Sequence, residues 1–317
     1  MAAAPIRTER RRETADRWIG RVIASRYRLE SRLGAGTGGK VYRATELERG
    51  TDVALKIVEV SDHADPAEDE AFRERAVALM GLDHPGIPRL LDFGRDGDGV
   101  RFAVMVRAEG APLDEVLREQ GRLEFGLAVE IALQLAAAIQ HAHIGGLIHR
   151  DLKPSNILLS KESVPRVALL DFGIAAPPGE GGASGIQGSP AYAAPGQANG
   201  DAADPRDDVY SLGVIVYELV TGRLPFEDDS PIGVVMQHLQ QDPKPPRMLE
   251  GGIPRSLEAA ILKALAKDRG ARFQSMAEWI AILEATRDEL AAKADPPEQP
   301  ASWMTDAWAR FVRKVGW

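Results

Sequence analysis

His149-Arg150-Asp151-Leu152-Lys153-Pro154-Ser155-Asn156 is the stretch on which the interpretation of the whole chain depends. A second motif, Asp171-Phe172-Gly173, follows it after a run of strand-like residues. A three-residue match alone would be weak evidence, because short matches arise by chance. Two motifs in this order carry far more weight. The alternative interpretation is a polar turn flanked by an ordinary hydrophobic hairpin.

Together, the two motifs resemble the catalytic loop and the metal-binding turn of the eukaryotic-type protein kinases. The resemblance implies that Asp151 accepts the proton of an acceptor hydroxyl and that Lys153 neutralises charge on the transferring phosphoryl group. It implies that Asn156 and Asp171 supply the hard oxygen ligands that hold Mg²⁺. A lysine two residues after Asp151 is the serine/threonine-kinase choice, so Ser or Thr is the expected acceptor.

A glycine-rich segment lies near the start of the chain, and a strand predicted from Arg26 runs into it: Leu33-Gly34-Ala35-Gly36-Thr37-Gly38-Gly39-Lys40-Val41-Tyr42. Glycines at this spacing are also found in dinucleotide-binding turns. Here a second strand follows rather than a helix, which favours a strand-loop-strand flap over nucleotide phosphates. Glycine suits such a flap because side chains would block close backbone approach. A glycine-rich hairpin without a ligand is the alternative.

The predicted third strand, Val53–Val58, resembles the kinase strand whose lysine contacts the α- and β-phosphates. Alternation places Ala54 and Lys56 on one face, where Ala54 is small enough for an adenine to pack on it. The resemblance implies an ATP site lined by residues of the glycine loop, this strand, the hinge and the strand after the catalytic loop: Leu33, Gly34, Ala35, Gly36, Thr37, Gly38, Gly39, Val41, Ala54, Lys56, Met105, Val106, Ala108 and Leu158.

Two positions depart from the kinase pattern. The predicted helix of residues 69–82 has Arg75 where kinases have a glutamate that pairs with the strand lysine, and Glu74 is adjacent. An arginine in contact with Lys56 would cost about 1 to 4 kcal/mol in repulsion. Either the helix turns to offer Glu74, or Lys56 works unpaired, or the active arrangement is never assembled. Gly196 stands where the family has a glutamate that pairs with an arginine, here Arg272. Leaving a buried arginine unpaired costs about 3 to 5 kcal/mol unless another group compensates.

The composition of the chain restricts the classes of partner and location that it is expected to have. The chain has 317 residues, no cysteine and a formal net charge of −8. The charge argues against a generic nucleic-acid partner, and the lack of cysteine fits a reducing, cytoplasmic location. No run approaches the roughly 18 apolar residues of a membrane span, so we expect no transmembrane segment. A strand is predicted for residues 84–91.

The predicted fold class is α+β, a bilobal protein-kinase-like fold with a small antiparallel sheet and one helix in the N-lobe and a mainly helical C-lobe. Residues 1–25 are expected to be a disordered basic tail. The kinase domain is expected to span residues 26–290, with the N-lobe at 26–108 and the C-lobe at 109–290. A Pro-rich linker (291–302) and an amphipathic, Trp-rich helix (303–317) are expected to follow.

The predicted function is ATP- and Mg²⁺-dependent phosphorylation of Ser or Thr in a protein substrate, weak or partner-gated because of Arg75 and Gly196. A pseudokinase, a nucleotide-binding signalling scaffold, is the alternative. Ser184 is a candidate phosphosite whose phosphate would dock on Arg150. The alternative is that Ser184 is only a polar residue of a flexible linker. The C-terminal helix is expected to dock on its own kinase domain or on a regulatory protein, and peripheral membrane contact is the second interpretation.

Overall fold

The computed structural model describes residues 16–36, 38–58, 66–97, 99–173 and 189–293, together with Trp308. Within them the expected fold class is confirmed: a small antiparallel sheet precedes a mainly helical lobe. Ser184 and Thr37 lie outside the described residues, as do most of the predicted linker and C-terminal helix.

The N-terminal lobe is a six-stranded antiparallel sheet with one helix, α1. Its strands lie in the order β1-β2-β3-β4-β6-β5. The elements are β1 (Val22–Ile23), β2 (Tyr27–Gly36), β3 (Gly39–Glu46), β4 (Thr51–Val58), α1 (Pro66–Met80), β5 (Leu90–Arg95) and β6 (Arg101–Val106).

Residues 16–25 correct the expectation of a disordered tail up to residue 25. Trp18 is buried against the sheet in the core cluster that contains Tyr42, and Asp16 accepts a 3.0 Å hydrogen bond from the Tyr42 hydroxyl. β1 also extends the sheet by pairing with β2. The sequence showed no periodicity here because a single tryptophan and one short strand, rather than an amphipathic pattern, attach the segment.

The strand expected at residues 84–91 is a second correction, because a strand begins only at Leu90. His84 closes a turn before it: its Nδ1 accepts from the Gly86 N–H at 3.0 Å, and its carbonyl accepts from Ile87 N–H at 2.9 Å. Pro85 inside this turn has no N–H to donate to a sheet ladder. The apolar residues of the segment therefore pack as a loop.

The C-terminal lobe combines a three-stranded antiparallel sheet with seven helices among the described residues. The sheet carries the loops of the candidate site, and the helices lie around α3 and α5. The elements are β7 (Ala111–Pro112), α2 (Leu113–Gln120), α3 (Phe125–Ile144), β8 (Ile157–Leu159), β9 (Val167–Leu169), α4 (Pro195–Asn199), α5 (Pro205–Thr221), α6 (Pro231–Gln240), α7 (Arg255–Ala264) and α8 (Met276–Lys293).

Helix ends follow local chemistry. The side chain of Glu124 caps α3 by accepting from the N–H groups of Gly126 and Leu127. Asp204 caps α5, Pro205 occupies its first turn, and Gly222 ends it in the left-handed conformation. These signals hold α5 in place, and α5 is buried along nearly its whole length.

Among the described residues, α3 is the one helix whose length and composition would allow it to cross a bilayer. In the structure α3 packs against α5 and α8, and its buried residues belong to the main core cluster. Burial inside the lobe thus accounts for its apolar composition.

Candidate active site

A cavity of about 680 Å³ lies between the two sheets. Most of the residues predicted to contact a nucleotide line it, and so do the acidic and amide groups of the two motifs. From the predicted set the lining includes Leu33, Gly34, Ala35, Val41, Ala54, Met105, Val106, Ala108, Asp151, Lys153, Asn156, Leu158 and Asp171. Lys56, Gly36, Gly38 and Gly39 are not among the lining residues.

The glycine loop is the tip of the β2–β3 hairpin, where Gly36 pairs with Gly39. Gly39 has φ +122°, and a Cβ there would lie 2.0 Å from the carbonyl oxygen of Ile57. Any side chain at this position would therefore push β3 away from β4. The glycine is required by the close approach of backbone to backbone, which places the hairpin above the cavity.

Lys56 lies in β4 opposite Ala103 of β6 and is 3% exposed. Its Nζ donates a 2.5 Å hydrogen bond to Oδ1 of Asp171, the predicted metal ligand. Lysine and carboxylate therefore bridge the two lobes across the cavity. The sequence predicted a site for both residues but not that they would pair with each other.

Arg75 is directed towards the metal-binding turn. From α1 its Nη1 points to the carbonyl oxygen of Gly173, at 3.4 Å. Burial lowers the pKa of Arg75, and the nearby Arg150 lowers it further. Glu74 is exposed. The helix thus presents Arg75, rather than Glu74, to the start of the activation segment, which the kinase resemblance places at residues 171–195.

The catalytic loop brings its predicted residues together. Nζ of Lys153 donates to Oδ2 of Asp151 at 2.6 Å, and Nδ2 of Asn156 donates to the Asp151 carbonyl oxygen at 2.8 Å. Oδ1 of Asp151 is buried and has no hydrogen-bond partner among the described residues. A buried acceptor without a donor is costly, so this oxygen is suited to receive a hydroxyl proton from a bound substrate.

Asp208, at the start of α5, holds this loop from below. Its Oδ2 accepts from the N–H of His149 at 2.8 Å, and its Oδ1 accepts from the N–H of Arg150 at 3.0 Å. Nε2 of His143 lies 2.8 Å from the same Oδ2. Arg150 has φ +66°, a strained conformation that these contacts stabilise. His143 lies in the last turn of α3, and no local sequence pattern predicts its contact with Asp208.

Side chains from α1 and β5 of one lobe pack in the same core as the two motifs of the other lobe. Leu79, Leu90 and Phe172 belong to one core cluster, and the ring of His149 lies 4.7 Å from that of Phe172. Complete burial lowers the pKa of His149, and its Nε2 lies 2.8 Å from the Leu170 carbonyl oxygen. A neutral imidazole that donates to this carbonyl fixes the strand leading to Asp171.

The donor set fits Mg²⁺. The Asp171 carboxylate and the Asn156 amide oxygen are hard ligands, and both residues line the cavity. In the part of the chain that the structure describes, no group of three or more His, Asp or Glu side chains could hold a metal alone. Mg²⁺ is commonly held by one or two protein oxygens together with substrate phosphates, which is what these two residues allow.

The arginine expected to lose its partner at Gly196 is compensated. Nη1 of Arg272 donates to Oδ1 of Asp207 at 3.3 Å, and other donors of its guanidinium reach the carbonyl oxygens of Arg206, Ala266 and Lys267. Arg272 is fully buried, with a side chain 0% exposed. The expected penalty of about 3 to 5 kcal/mol for an unpaired arginine therefore does not arise.

The turn of residues 189–192, here called the substrate turn because the kinase resemblance places substrate docking there, is anchored by side chains from two helices. Oγ of Ser211 donates to the Tyr192 carbonyl oxygen at 2.8 Å, and the Tyr192 hydroxyl donates to Glu218 at 2.7 Å. Nε2 of His238 lies 3.1 Å from the Ala191 carbonyl oxygen. These residues come from α5 and α6, and no local motif marks them.

The cavity also has lining residues absent from the prediction: Arg107, Glu109, Gly110, Pro112, Ser155, Lys161 and Leu170. Arg107 stands in the hinge between the predicted residues Val106 and Ala108, and its Nε donates to Asp52 at 2.6 Å. Glu109, Ser155 and Leu170 are immediate sequence neighbours of predicted residues, whereas the other three lie two to four positions away.

Comparison with known proteins gives a consistent result. The protein kinase domain family matches residues 27–279. The serine/threonine-protein kinase pkn3 of Myxococcus xanthus is 37% identical over 298 residues, covering 90% of this chain and 54% of the relative. For the serine/threonine-protein kinase PknB of Mycobacterium tuberculosis the identity is 36%, over 90% of this chain and 46% of the relative. The chain spans about half the length of these curated relatives.

A crystal structure of the Mycobacterium tuberculosis PknI kinase domain superposes with a TM-score of 0.69 and 26% identity, covering 85% of this chain and 98% of that one. The sequence comparisons, the fold and the residues of the cavity all indicate the same family. The chain belongs to the protein kinase family, and within it to the bacterial serine/threonine protein kinases of the eukaryotic type.

Proposed function

We propose that this chain transfers the γ-phosphate of ATP to Ser or Thr hydroxyls of protein substrates. The observation that carries the proposal is the state of Asp151. One of its oxygens is held by Lys153, while the other is buried without a hydrogen-bond partner among the described residues. Both side chains line the same cavity as Ala54 and Met105, where an adenine would pack. ATP as co-substrate suits a cytoplasmic location.

Each residue has a defined task in this proposal. Asp151 orients the acceptor hydroxyl and takes its proton, and Lys153 steadies the transferring group. Asn156 and Asp171 would hold Mg²⁺, which would supply positive charge to neutralise the phosphates. Lys56 and the glycine loop position the phosphates. Lys153 favours Ser or Thr over Tyr as the acceptor.

We propose that the activity is weak or gated by a partner. Lys56 and Asp171 pair with each other, although the proposal assigns one to the phosphates and the other to Mg²⁺. Binding of Mg-ATP must therefore exchange a buried ion pair for new contacts. With Arg75 in α1, the family's glutamate is not there to receive Lys56.

Transfer of labelled γ-phosphate to the chain itself and to myelin basic protein tests the proposal, with Asp171→Ala as the control. We expect the wild-type signal to exceed the control by at least about a hundredfold, since removing a metal ligand removes several kcal/mol of electrostatic stabilisation. A wild-type signal no higher than the control would refute the enzymatic function.

The pseudokinase is distinguished in the same experiment. If phosphotransfer is absent, a thermal-shift assay with Mg-ATP separates a nucleotide-binding scaffold from a domain that binds no nucleotide. We favour the enzyme because Asp151, Lys153, Asn156 and Asp171 are all present at the cavity. Degenerate members of the family more usually lack one of these groups.

Phosphorylation of Ser184 remains part of the proposal. Arg150 and Arg75 lie close enough for Arg150 to lower the pKa of Arg75, so positive charge is concentrated where the activation segment begins. A phosphate would gain charge-assisted hydrogen bonds there. Mass spectrometry after incubation with ATP, with Ser184→Ala as the control, is expected to locate one phosphate at Ser184. Phosphate found elsewhere would contradict this assignment.

We also propose that the C-terminal segment docks on its own kinase domain. Trp308 is 0% exposed and belongs to the core cluster that includes residues of α3, α5 and α8. Trp308→Ala is expected to destabilise the protein by about 3 to 5 kcal/mol, the usual cost of emptying a tryptophan site. Denaturation at two protein concentrations measures this cost and tests whether the docking is intramolecular.

If Trp308→Ala leaves the stability unchanged, a regulatory protein or a membrane surface becomes the expected binding partner of the C-terminal segment. A stability that rises with protein concentration would point to docking between two copies of the chain.

A further inference from the structure

The space at Gly196, where the kinase pattern has a glutamate, is filled from elsewhere in the chain. Gly196 is buried in α4, and a Cβ atom there would lie 2.0 Å from Nη2 of Arg269 and 2.6 Å from its Cζ. These distances are far below any van der Waals contact. The guanidinium of Arg269 therefore occupies the volume of the missing side chain.

The guanidinium is firmly held in this position. Its Nε donates to Oδ1 of Asp207 at 3.0 Å, and its Nη2 donates to Oδ2 at 2.6 Å. Nη2 also lies 3.3 Å from the carbonyl oxygen of Ala202, in the loop that follows α4. The hydrogen bond to Asp207 raises the pKa of Arg269. A bidentate arginine–carboxylate pair combines strength with a fixed geometry.

Helix α4 connects this pair to the catalytic loop. Gln197 follows Gly196, and its Nε2 donates to the carbonyl oxygen of Arg150 at 2.6 Å. Its Oε1 accepts from the N–H of Ala194 at 3.0 Å. On the opposite side, Asp208 follows Asp207 and accepts from the N–H groups of the catalytic loop. A shift of α4 would thus move both the substrate turn and the strained Arg150.

We propose that Arg269 is a positioning residue that fixes the end of the activation segment, taking over the task that a glutamate at position 196 performs elsewhere in the family. The charge at this site is reversed. The cationic side chain of Arg269, from the loop between α7 and α8, lies against α4 where the family has an anionic side chain, and Asp207 of α5 neutralises it. Gly196 and Arg269 form a matched pair, since a side chain at 196 excludes this arginine conformation. The catalytic consequence rests on the proposed kinase function; the structural one does not.

A double-mutant cycle on stability tests the match without any activity measurement. In the wild-type background, Gly196→Ala is expected to lower the Tm by several degrees, because the new methyl displaces Arg269 from Asp207. In an Arg269→Ala background, the same change is expected to leave the Tm unchanged or raise it, since alanine favours a helix over glycine. A Gly196→Ala effect of equal sign and size in both backgrounds would overturn the proposal.

Kinetics of Arg269→Gln test the positioning role. We expect the KM for myelin basic protein to rise about tenfold, as for the loss of one charge-assisted hydrogen bond, while the KM for ATP stays within about twofold. The matched control is Arg206→Gln, which removes another arginine–aspartate pair, with Asp204, without touching Gly196. An unchanged KM for the protein in Arg269→Gln, or an equal rise in the control, would contradict the role.

The two arms separate the two failures. If the wild-type chain transfers no phosphate, the proposed function fails while the stability cycle still reports on the Gly196–Arg269 match. If phosphate transfer is normal but the cycle shows no coupling, Arg269 loses its role and the kinase function stands.

Discussion

The catalytic loop and the Lys56 region face each other across one cavity but are held in different ways. The loop receives hydrogen bonds from within its own lobe: Asp208 accepts two of its N–H groups, and Gln197 donates to the carbonyl oxygen of Arg150. Lys56 pairs instead with Asp171 of the other lobe. Arg75, at the position of the family's glutamate, points to Gly173.

This contrast indicates which lobe contacts would control the proposed activity. The groups assigned to proton transfer are positioned by the large lobe before any substrate binds. The groups assigned to the nucleotide depend on a contact between lobes that Mg-ATP must exchange. Under the proposed function, the chain therefore combines a preorganised reaction centre with a nucleotide site that becomes available only when this contact is exchanged.

The largest effect is expected when the support of the catalytic loop is removed. Asp208→Ala leaves the N–H groups of His149 and Arg150 buried without acceptors, at about 1 to 3 kcal/mol each. Phosphotransfer is expected to fall by about 10²- to 10³-fold if this cost appears in the transition state. Steady-state kinetics with saturating Mg-ATP measures the loss.

Asp204→Ala is the control for this variant, because Asp204 caps the same helix by accepting from the Arg206 N–H. Loss of a helix cap costs about 1 kcal/mol of stability and leaves the loop contacts in place. If both variants lose activity equally, Asp208 acts through the stability of α5 rather than through the loop.

A smaller effect is expected at the substrate turn. His238 is 0% exposed and contacts the Ala191 carbonyl oxygen, and burial lowers its pKa to about 4, with Lys267 contributing. The unfolded chain protonates this histidine below about pH 6.5, whereas the folded chain does not until about pH 4. Stability is therefore lost as the pH falls through this window, by about 2 kcal/mol between pH 7 and pH 5.

Urea denaturation at pH 7 and pH 5 measures that loss in the wild type and in His238→Gln. Glutamine does not titrate, so the variant is expected to lose about 2 kcal/mol less than the wild type over this interval. An identical loss in both proteins would show that other groups cause the acid sensitivity.

Contiguous motifs made much of the fold and the site predictable from the sequence. Residues 149–156, Asp171 and the glycine loop each combine several informative positions within a few residues, so their neighbourhood in space follows from the family resemblance. Contacts between distant segments were not predictable. Arg269 filling the space at Gly196, Trp18 packing on the sheet and His143 reaching Asp208 depend on side-chain geometry that no local pattern encodes.

The two departures from the family pattern have different outcomes in the structure. At Gly196 the structure supplies a replacement, since Asp207 pairs with both Arg269 and Arg272. At Arg75, where the family has the glutamate that pairs with the strand lysine, Lys56 pairs with Asp171 instead. The sequence identified both positions but could not distinguish a compensated loss from an altered ion pair.

The most direct test of a preorganised loop with a conditional nucleotide site is kcat/KM for ATP in Arg75→Glu. A carboxylate at this position would offer Lys56 a second partner and free Asp171 for Mg²⁺. Arg75→Gln is the matched control, because it removes the cation without adding an anion. We predict a rise of about tenfold in Arg75→Glu, equivalent to about 1.4 kcal/mol, and a smaller change in Arg75→Gln. No change or a loss in Arg75→Glu would contradict the account.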